Sequence, residues 1–76
     1  MNKVSILNYI QSIKYSHSLI QGKEEAHYHI IFIIIISMYK DMHRKLYGEV
    51  FTTFQEPLET LAYILEDIVR IEEELQ

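Results

Sequence analysis

The sequence predicts an all-α protein: a three-helix, up-down-up chain that assembles as a homodimeric helical bundle. Apolar residues recur at the three- and four-residue spacings of a helix face, glycine occurs only twice, and one central stretch is apolar around its whole circumference. With 76 residues the chain forms one helical domain, 1–76. We place the three helices at about 2–21, 23–47 and 54–75.

The chain is short for an isolated hydrophobic core. A domain of this size buries about 60% of the surface that its unfolded chain exposes, and small domains are commonly stabilised by disulfides, a metal or oligomerisation. The absence of cysteine excludes disulfides and thiolate metal sites. Because 49% of the residues are hydrophobic, we expect a homodimer or higher oligomer.

The first predicted helix has one apolar stripe, formed at alternating spacings by Ile6, Ile10, Ile13, His17 and Ile20. A single histidine on such a stripe is typical of a hydrogen-bonded core residue. Gly22 follows where a helix often ends in a left-handed residue. The next helix begins at once with Lys23, so the short link predicts an antiparallel helical hairpin.

The middle of the second predicted helix is apolar on every side, from Ile30 to Ile36. A helix of this kind must be buried on every side, and two neighbouring helices of one short chain leave part of its circumference open. The open face must therefore meet another subunit, another protein or lipid. The expected interface residues are Ile30, Ile31, Phe32, Ile34, Ile35 and Met38.

Two other interpretations of the apolar run remain open. Seven β-branched or aromatic residues in succession are also compatible with a fully buried strand over 30–36. A membrane span would need about 20 apolar residues, whereas Ala26 to Tyr39 is 14 residues, interrupted by His27 and His29. We therefore expect no membrane span.

The N-terminal residues also lack the apolar run and cleavage pattern of a signal peptide, which favours a cytoplasmic location.

The third predicted helix has one apolar side, on which Leu58, Leu61, Leu65, Ile68 and Leu75 follow a three-four repeat. Its start is ambiguous, because Thr53 and Glu56 have capping-box spacing while Pro57 prefers the first helical position. The predicted outer face comprises Glu59, Thr60, Tyr63, Glu66, Asp67, Arg70, Glu73 and Glu74.

A metal site is the alternative to a purely structural bundle. An up-down-up chain brings the start of helix two and the end of helix three to one pole, and Glu24 and His27 have the spacing used in di-iron bundles. The candidate ligands are Glu24, Glu25, His27 and Glu72. The competing interpretation is a solvated helix end. Glu72 itself lies on the apolar seam, so it either frays into water or faces a cation: Lys23, a protonated histidine or a metal.

The charge pattern argues against nucleic-acid binding. Residues 1–54 carry six Lys and Arg against four Asp and Glu, and residues 55–76 carry one against seven. Phosphate binding needs clustered cations, so a dimeric transcription regulator remains only a further alternative. The acidic third helix would suit a basic partner.

Motifs for catalysis are missing from the sequence. The two glycines form no phosphate-binding loop, and no cysteine nucleophile exists. The sequence therefore predicts a non-enzymatic protein, with no cofactor, that acts through protein–protein interaction in a regulatory or adaptor role.

Overall fold

Three helices form the part of the chain that the structure describes. The computed structural model describes residues 2–20 and 25–76, without the side chains of 25 and 26. The helices are α1 (Lys3–Ser18), α2 (Glu25–Tyr47) and α3 (Pro57–Glu74). The all-α, three-helix prediction is confirmed, and residues 30–36 are helical rather than a strand.

The helix ends follow from local chemistry. The Asn2 side chain caps α1 by accepting the Ser5 N–H at 2.8 Å. α1 ends at Ser18, earlier than predicted, where the Ser18 hydroxyl donates to the Tyr15 carbonyl and competes with the helical pattern. α2 ends at Tyr47, the predicted residue, because Gly48 follows with a φ of +76° and its N–H donates to the Arg44 carbonyl. The predicted turn at Gly22 lies outside the described residues.

α3 begins later than the predicted residue 54. Pro57 takes the first helical position and Glu56 is extended, because proline disfavours a helical residue before it. The start at Thr53 was therefore wrong. Thr60 instead organises the connector between α2 and α3, residues 48–56, since its hydroxyl oxygen accepts the Phe54 N–H at 2.9 Å.

Long-range contacts give the helix directions. Tyr9 in α1 contacts Asp41 and Lys45 near the end of α2, whereas the end of α1 meets the start of α2, where Leu19 and His27 line one cleft. These two helices are therefore antiparallel. An ion pair between Lys14 and Glu72 joins the second half of α1 to the end of α3, as an up-down-up chain requires.

The core lies between the three helices and includes Phe51 from the connector. Its buried apolar residues are Ile6, Ile10, Ile13, Phe32, Ile35, Tyr39, Met42, Phe51, Leu61, Ile64, Ile68 and Ile71. On α3 the buried side is rotated relative to the prediction: Leu58 is exposed, while Thr60 and Asp67 are buried. Both polar residues are buried because each has hydrogen-bond partners there.

The described helices differ from membrane-spanning helices in length or composition. No stretch within them combines the length and the apolar character that crossing a membrane requires.

Candidate interaction site

The outer side of α2 carries an exposed apolar face, which we call the isoleucine face: Ile30, Ile33 and Ile34. Their exposed fractions are 57%, 50% and 46%. The spacing of three and four residues places them on one side of the helix, opposite the buried Phe32 and Ile35. The chain therefore covers the inner side of its most apolar segment and leaves the outer side in solvent.

The structure divides the six predicted interface residues into three groups. Phe32 and Ile35 belong to the chain's own core, and Ile31 and Met38 are partly buried against it. Ile30 and Ile34 are exposed, together with Ile33. Sequence reasoning omitted Ile33, although its spacing from Ile30 gives the necessary signal.

The isoleucine face borders a concave feature. A cleft of about 280 Å³ is lined by Leu19, His27, Ile30 and Ile31, where α1 and α2 approach each other. This cleft, which we call the notch, lies beside exposed apolar side chains, so it suits insertion of an apolar side chain from another helix.

The same side of α2 becomes charged after Ser37. The Asp41 carboxylate lies 3.9 Å from the Arg44 guanidinium and 3.2 Å from the Lys45 ammonium, and the preceding residue, Lys40, is exposed. The apolar face is therefore bounded along the helix by a solvated polar edge.

A buried polar network joins α2 to α3. The Tyr39 hydroxyl donates to Asp67 at 2.5 Å, and the Arg70 guanidinium donates to the other Asp67 oxygen at 2.6 Å. Arg70 also donates to the Tyr47 hydroxyl at 2.7 Å. Burial, followed by the hydrogen bond to Asp67, raises the pKa of Tyr39 far above its usual value. Partial burial also raises the pKa of Tyr47. Both Asp67 oxygens are engaged, so this carboxylate holds two helices together.

Aromatic rings surround this network. The His43 ring contacts those of Tyr39, Tyr47 and Phe51 at tilted or edge-on angles, and the Phe51 ring centroid lies 4.9 Å from that of Tyr39. His43 Nδ1 lies 2.8 Å from the Glu49 carbonyl, which can only accept, so the nitrogen donates. A cleft of about 440 Å³ opens beside these residues. The charged side chains that line it, Asp67 and Arg70, are already paired with each other.

A second polar cluster lies between α1 and α2. The Tyr9 hydroxyl donates to Asp41, and the Lys45 ammonium lies 2.9 Å from the same hydroxyl. The hydrogen bond from Tyr9, followed by that from Lys45, lowers the pKa of Asp41, and the pKa of Lys45 is raised. An open cleft of about 600 Å³ adjoins this cluster; it is lined by Ser5, Asn8, Tyr9, Ser12, Met38 and Lys45.

The predicted metal ligands do not form a group in the described part of the chain. Glu24 and the Glu25 side chain lie outside that part, and the remaining residues contain no cluster of three or more His, Asp or Glu placed to hold a metal. His27 borders the notch, while Glu72 accepts hydrogen bonds from Lys14 at 2.5 Å and Gln11 at 3.2 Å.

The cation facing Glu72 is therefore Lys14. Sequence reasoning had named Lys23, a histidine or a metal. The usable signal was the position of Lys14, four residues after the buried Ile10 and so near the edge of the core side of α1.

Comparison with protein family models, with curated proteins and with solved structures finds no match to this chain.

Proposed function

We propose that the protein is a small, non-enzymatic interaction module that works as a homodimer, in a regulatory or adaptor role, with the isoleucine face as its dimer interface. The observation that supports this proposal is the exposure of Ile30, Ile33 and Ile34 on one side of α2. Exposed apolar clusters with a polar rim are typical of protein–protein interfaces.

The size of the face is compatible with a reversible dimer. Burying a whole isoleucine side chain contributes about 1.5–3 kcal/mol. Three half-exposed isoleucines on each of two chains therefore contribute about 5–9 kcal/mol, which is comparable with the lower part of the association cost of about 4–15 kcal/mol. Because the two terms nearly cancel, we expect a weak affinity that depends on every isoleucine.

A second copy fits the face because the face is self-complementary. If two α2 helices cross antiparallel near Ile33 and Ile34, each of these residues meets an isoleucine of the other chain. In that register Ile30 lies opposite Ser37 of the partner subunit, whose small side chain leaves room for it. Such a contact is isologous, as in most homodimers. The charged positions from Lys40 onward then fall at the rim.

The test is native mass spectrometry with sedimentation velocity on three proteins: wild type, Ile34→Asp and Val50→Asp. Val50 is an exposed apolar residue in the connector, so it controls for adding a carboxylate. We expect dimers for wild type and Val50→Asp. Ile34→Asp should be a monomer that keeps its helical circular dichroism, because its side chain contributes little to the core.

Two outcomes would overturn the proposal. One is a monomeric wild type throughout the micromolar range, and the other is an Ile34→Asp protein that dimerises as well as wild type. The same spectra weigh bound ions. A stoichiometric metal that is lost in His27→Ala would replace the proposed function with the metal-binding alternative.

A further inference from the structure

α3 carries a second apolar row outside the core, which we call the outer row: Leu58, Ala62, Leu65 and Val69. Leu58 and Val69 are 70% and 47% exposed, Ala62 is exposed and Leu65 is partly buried. The spacings are four, three and four residues, so the row follows one side of the helix for three turns. The core of α3 uses a different row, which includes Leu61, Ile64 and Ile68. The outer row is therefore mostly apolar surface that this fold does not use, and Leu65 is its one member that packs partly against the core.

An acidic row runs beside the outer row. Glu59, Glu66 and Glu73 are exposed and follow one another at intervals of seven residues, which is about 10 Å along a helix. The other carboxylates of α3 are engaged: Asp67 and Glu74 bind Arg70, and Glu72 binds Lys14. Within the described residues, the three glutamates of the acidic row make no ion pair with a cation.

Together the two rows have the sequence pattern of one helix of a coiled coil. The outer row occupies the apolar positions of a heptad, and the acidic row occupies the adjacent flanking position in each heptad. A facing helix would place its own flanking residues opposite the three glutamates. Ion pairs at these positions select the partner in coiled coils, which means that the partner's residues there should be Lys or Arg.

We infer that the outer row and acidic row of α3 form a docking surface for a basic amphipathic helix of another protein. The surface spans 12 residues from Leu58 to Val69, or about 16 Å from end to end, and so accommodates three helical turns. The surface ends after Val69, because the next apolar heptad position is occupied by Glu72, which forms an ion pair with Lys14.

A second copy of the chain is a poor occupant of this surface. Two α3 helices packed antiparallel through their outer rows would place one acidic row against the other, and like charges repel. In a parallel pair the glutamates would face positions that this chain uses for core residues such as Leu61 and Ile68. The surface also lies on a different helix from the isoleucine face, so this inference does not depend on the proposed homodimer.

The experiment uses two synthetic 21-residue helical peptides with leucine at the core heptad positions. One has lysine at every flanking position that would face the acidic row, and the other has glutamate there. Binding of each labelled peptide to the full-length protein is measured by fluorescence anisotropy. The lysine peptide should bind about ten- to a hundredfold more tightly, since three exposed ion pairs contribute roughly a factor of two to five each. This preference should shrink as salt is raised.

Three variants test which residues are responsible. Glu59→Lys combined with Glu66→Lys should reverse the preference in favour of the glutamate peptide. Val69→Gln should abolish binding of both peptides, whereas Val50→Gln in the connector should bind like wild type. All four positions are exposed, so circular dichroism should show an unchanged helix content. The monomeric Ile34→Asp protein should keep the binding, because its substitution lies on the other surface.

The inference is overturned if neither peptide binds, if the charge-reversed protein keeps the wild-type preference, or if Val69→Gln binds as well as Val50→Gln. It is also overturned if the lysine peptide dissociates a wild-type dimer, because a second copy would then be the natural occupant. Failure of the homodimer proposal would leave these peptide measurements unaffected, since each peptide binds α3 of a single chain whether or not that chain is part of a dimer.

Discussion

The same three chemical groups, a tyrosine hydroxyl, an aspartate and a cation, hold both helix pairs that contain α2. Between α2 and α3, Tyr39 donates to Asp67, which also binds Arg70. Between α1 and α2, Tyr9 donates to Asp41, which also binds Lys45. The two clusters differ in the solvent exposure of their carboxylates: the Asp67 side chain is 9% exposed and the Asp41 side chain is 41% exposed.

This difference shows that composition alone does not set the energetic value of a polar cluster. Exposed ion pairs are weak because water screens them and already solvates each charge. A buried carboxylate has given up its water, so each hydrogen bond that replaces water is needed. We therefore expect the two clusters to respond very differently to equivalent substitutions.

The largest expected effect is that of Asp67→Ala. It leaves the buried Tyr39 hydroxyl without its acceptor and removes the main partner of Arg70, so the free energy of unfolding should fall by about 2–3 kcal/mol. Urea denaturation at a fixed protein concentration measures this loss. The exposed Glu66→Ala on the same helix should change stability by less than about 0.5 kcal/mol. Equal midpoints for the two variants would show that the buried network is not stabilising.

Tyr39→Phe should have an intermediate effect, a loss of about 1–2 kcal/mol at neutral pH, because Asp67 keeps Arg70. The Tyr39→Phe substitution should differ most clearly from wild type at alkaline pH. The pKa of Tyr39 is raised in the folded protein, so the unfolded chain releases this proton first, near pH 10. Above that pH the wild type should lose about 1.4 kcal/mol per pH unit that the phenylalanine variant does not lose.

Denaturation at pH 9, 10 and 11 tests this alkaline difference. Tyr15→Phe is the matched control, because Tyr15 is exposed on α1 and should follow the wild-type profile. If Tyr39→Phe lost stability as steeply as wild type between pH 10 and pH 11, the raised pKa would not belong to this hydroxyl.

The smallest expected effect is that of Asp41→Asn in the exposed cluster. Its thermal midpoint at neutral pH should barely differ from that of wild type, and the small difference should vanish at high salt. The lowered pKa of Asp41 means that its contribution is present above its usual pKa and disappears as pH falls through the lowered value. Thermal melts from pH 5 to pH 2 check this. A loss as large as that of Asp67→Ala would remove the distinction between the two clusters.

The two clusters also differ in how far they could be predicted. Asp41 and Lys45 lie one helical turn apart, so their pairing follows from sequence spacing. Asp67 was placed on the outer face of α3, because the partner that makes its burial favourable, Tyr39, is 28 residues away. The same reason explains Thr60, which looks solvent-exposed in the pattern and is buried against the connector.

The isoleucine face shows a related difference between pattern and structure. Every position from Ile30 to Ile36 is apolar, so periodicity alone does not distinguish the inner side from the outer side. Packing against α1 and α3 turns Phe32 and Ile35 inward and leaves Ile33 and Ile34 outside. Whether a second chain covers this face remains the central prediction.

The sequence by itself determined the features that depend on neighbouring residues. These are the three helices, the end of α2 just before Gly48 and the surplus of apolar side chains. The tertiary structure decided which side of each helix faces inward, that Asp67 is buried and that Lys14 neutralises Glu72. The physical reason is range: helix formation and capping act over about four residues, whereas burial and ion pairing join residues that are far apart in the chain.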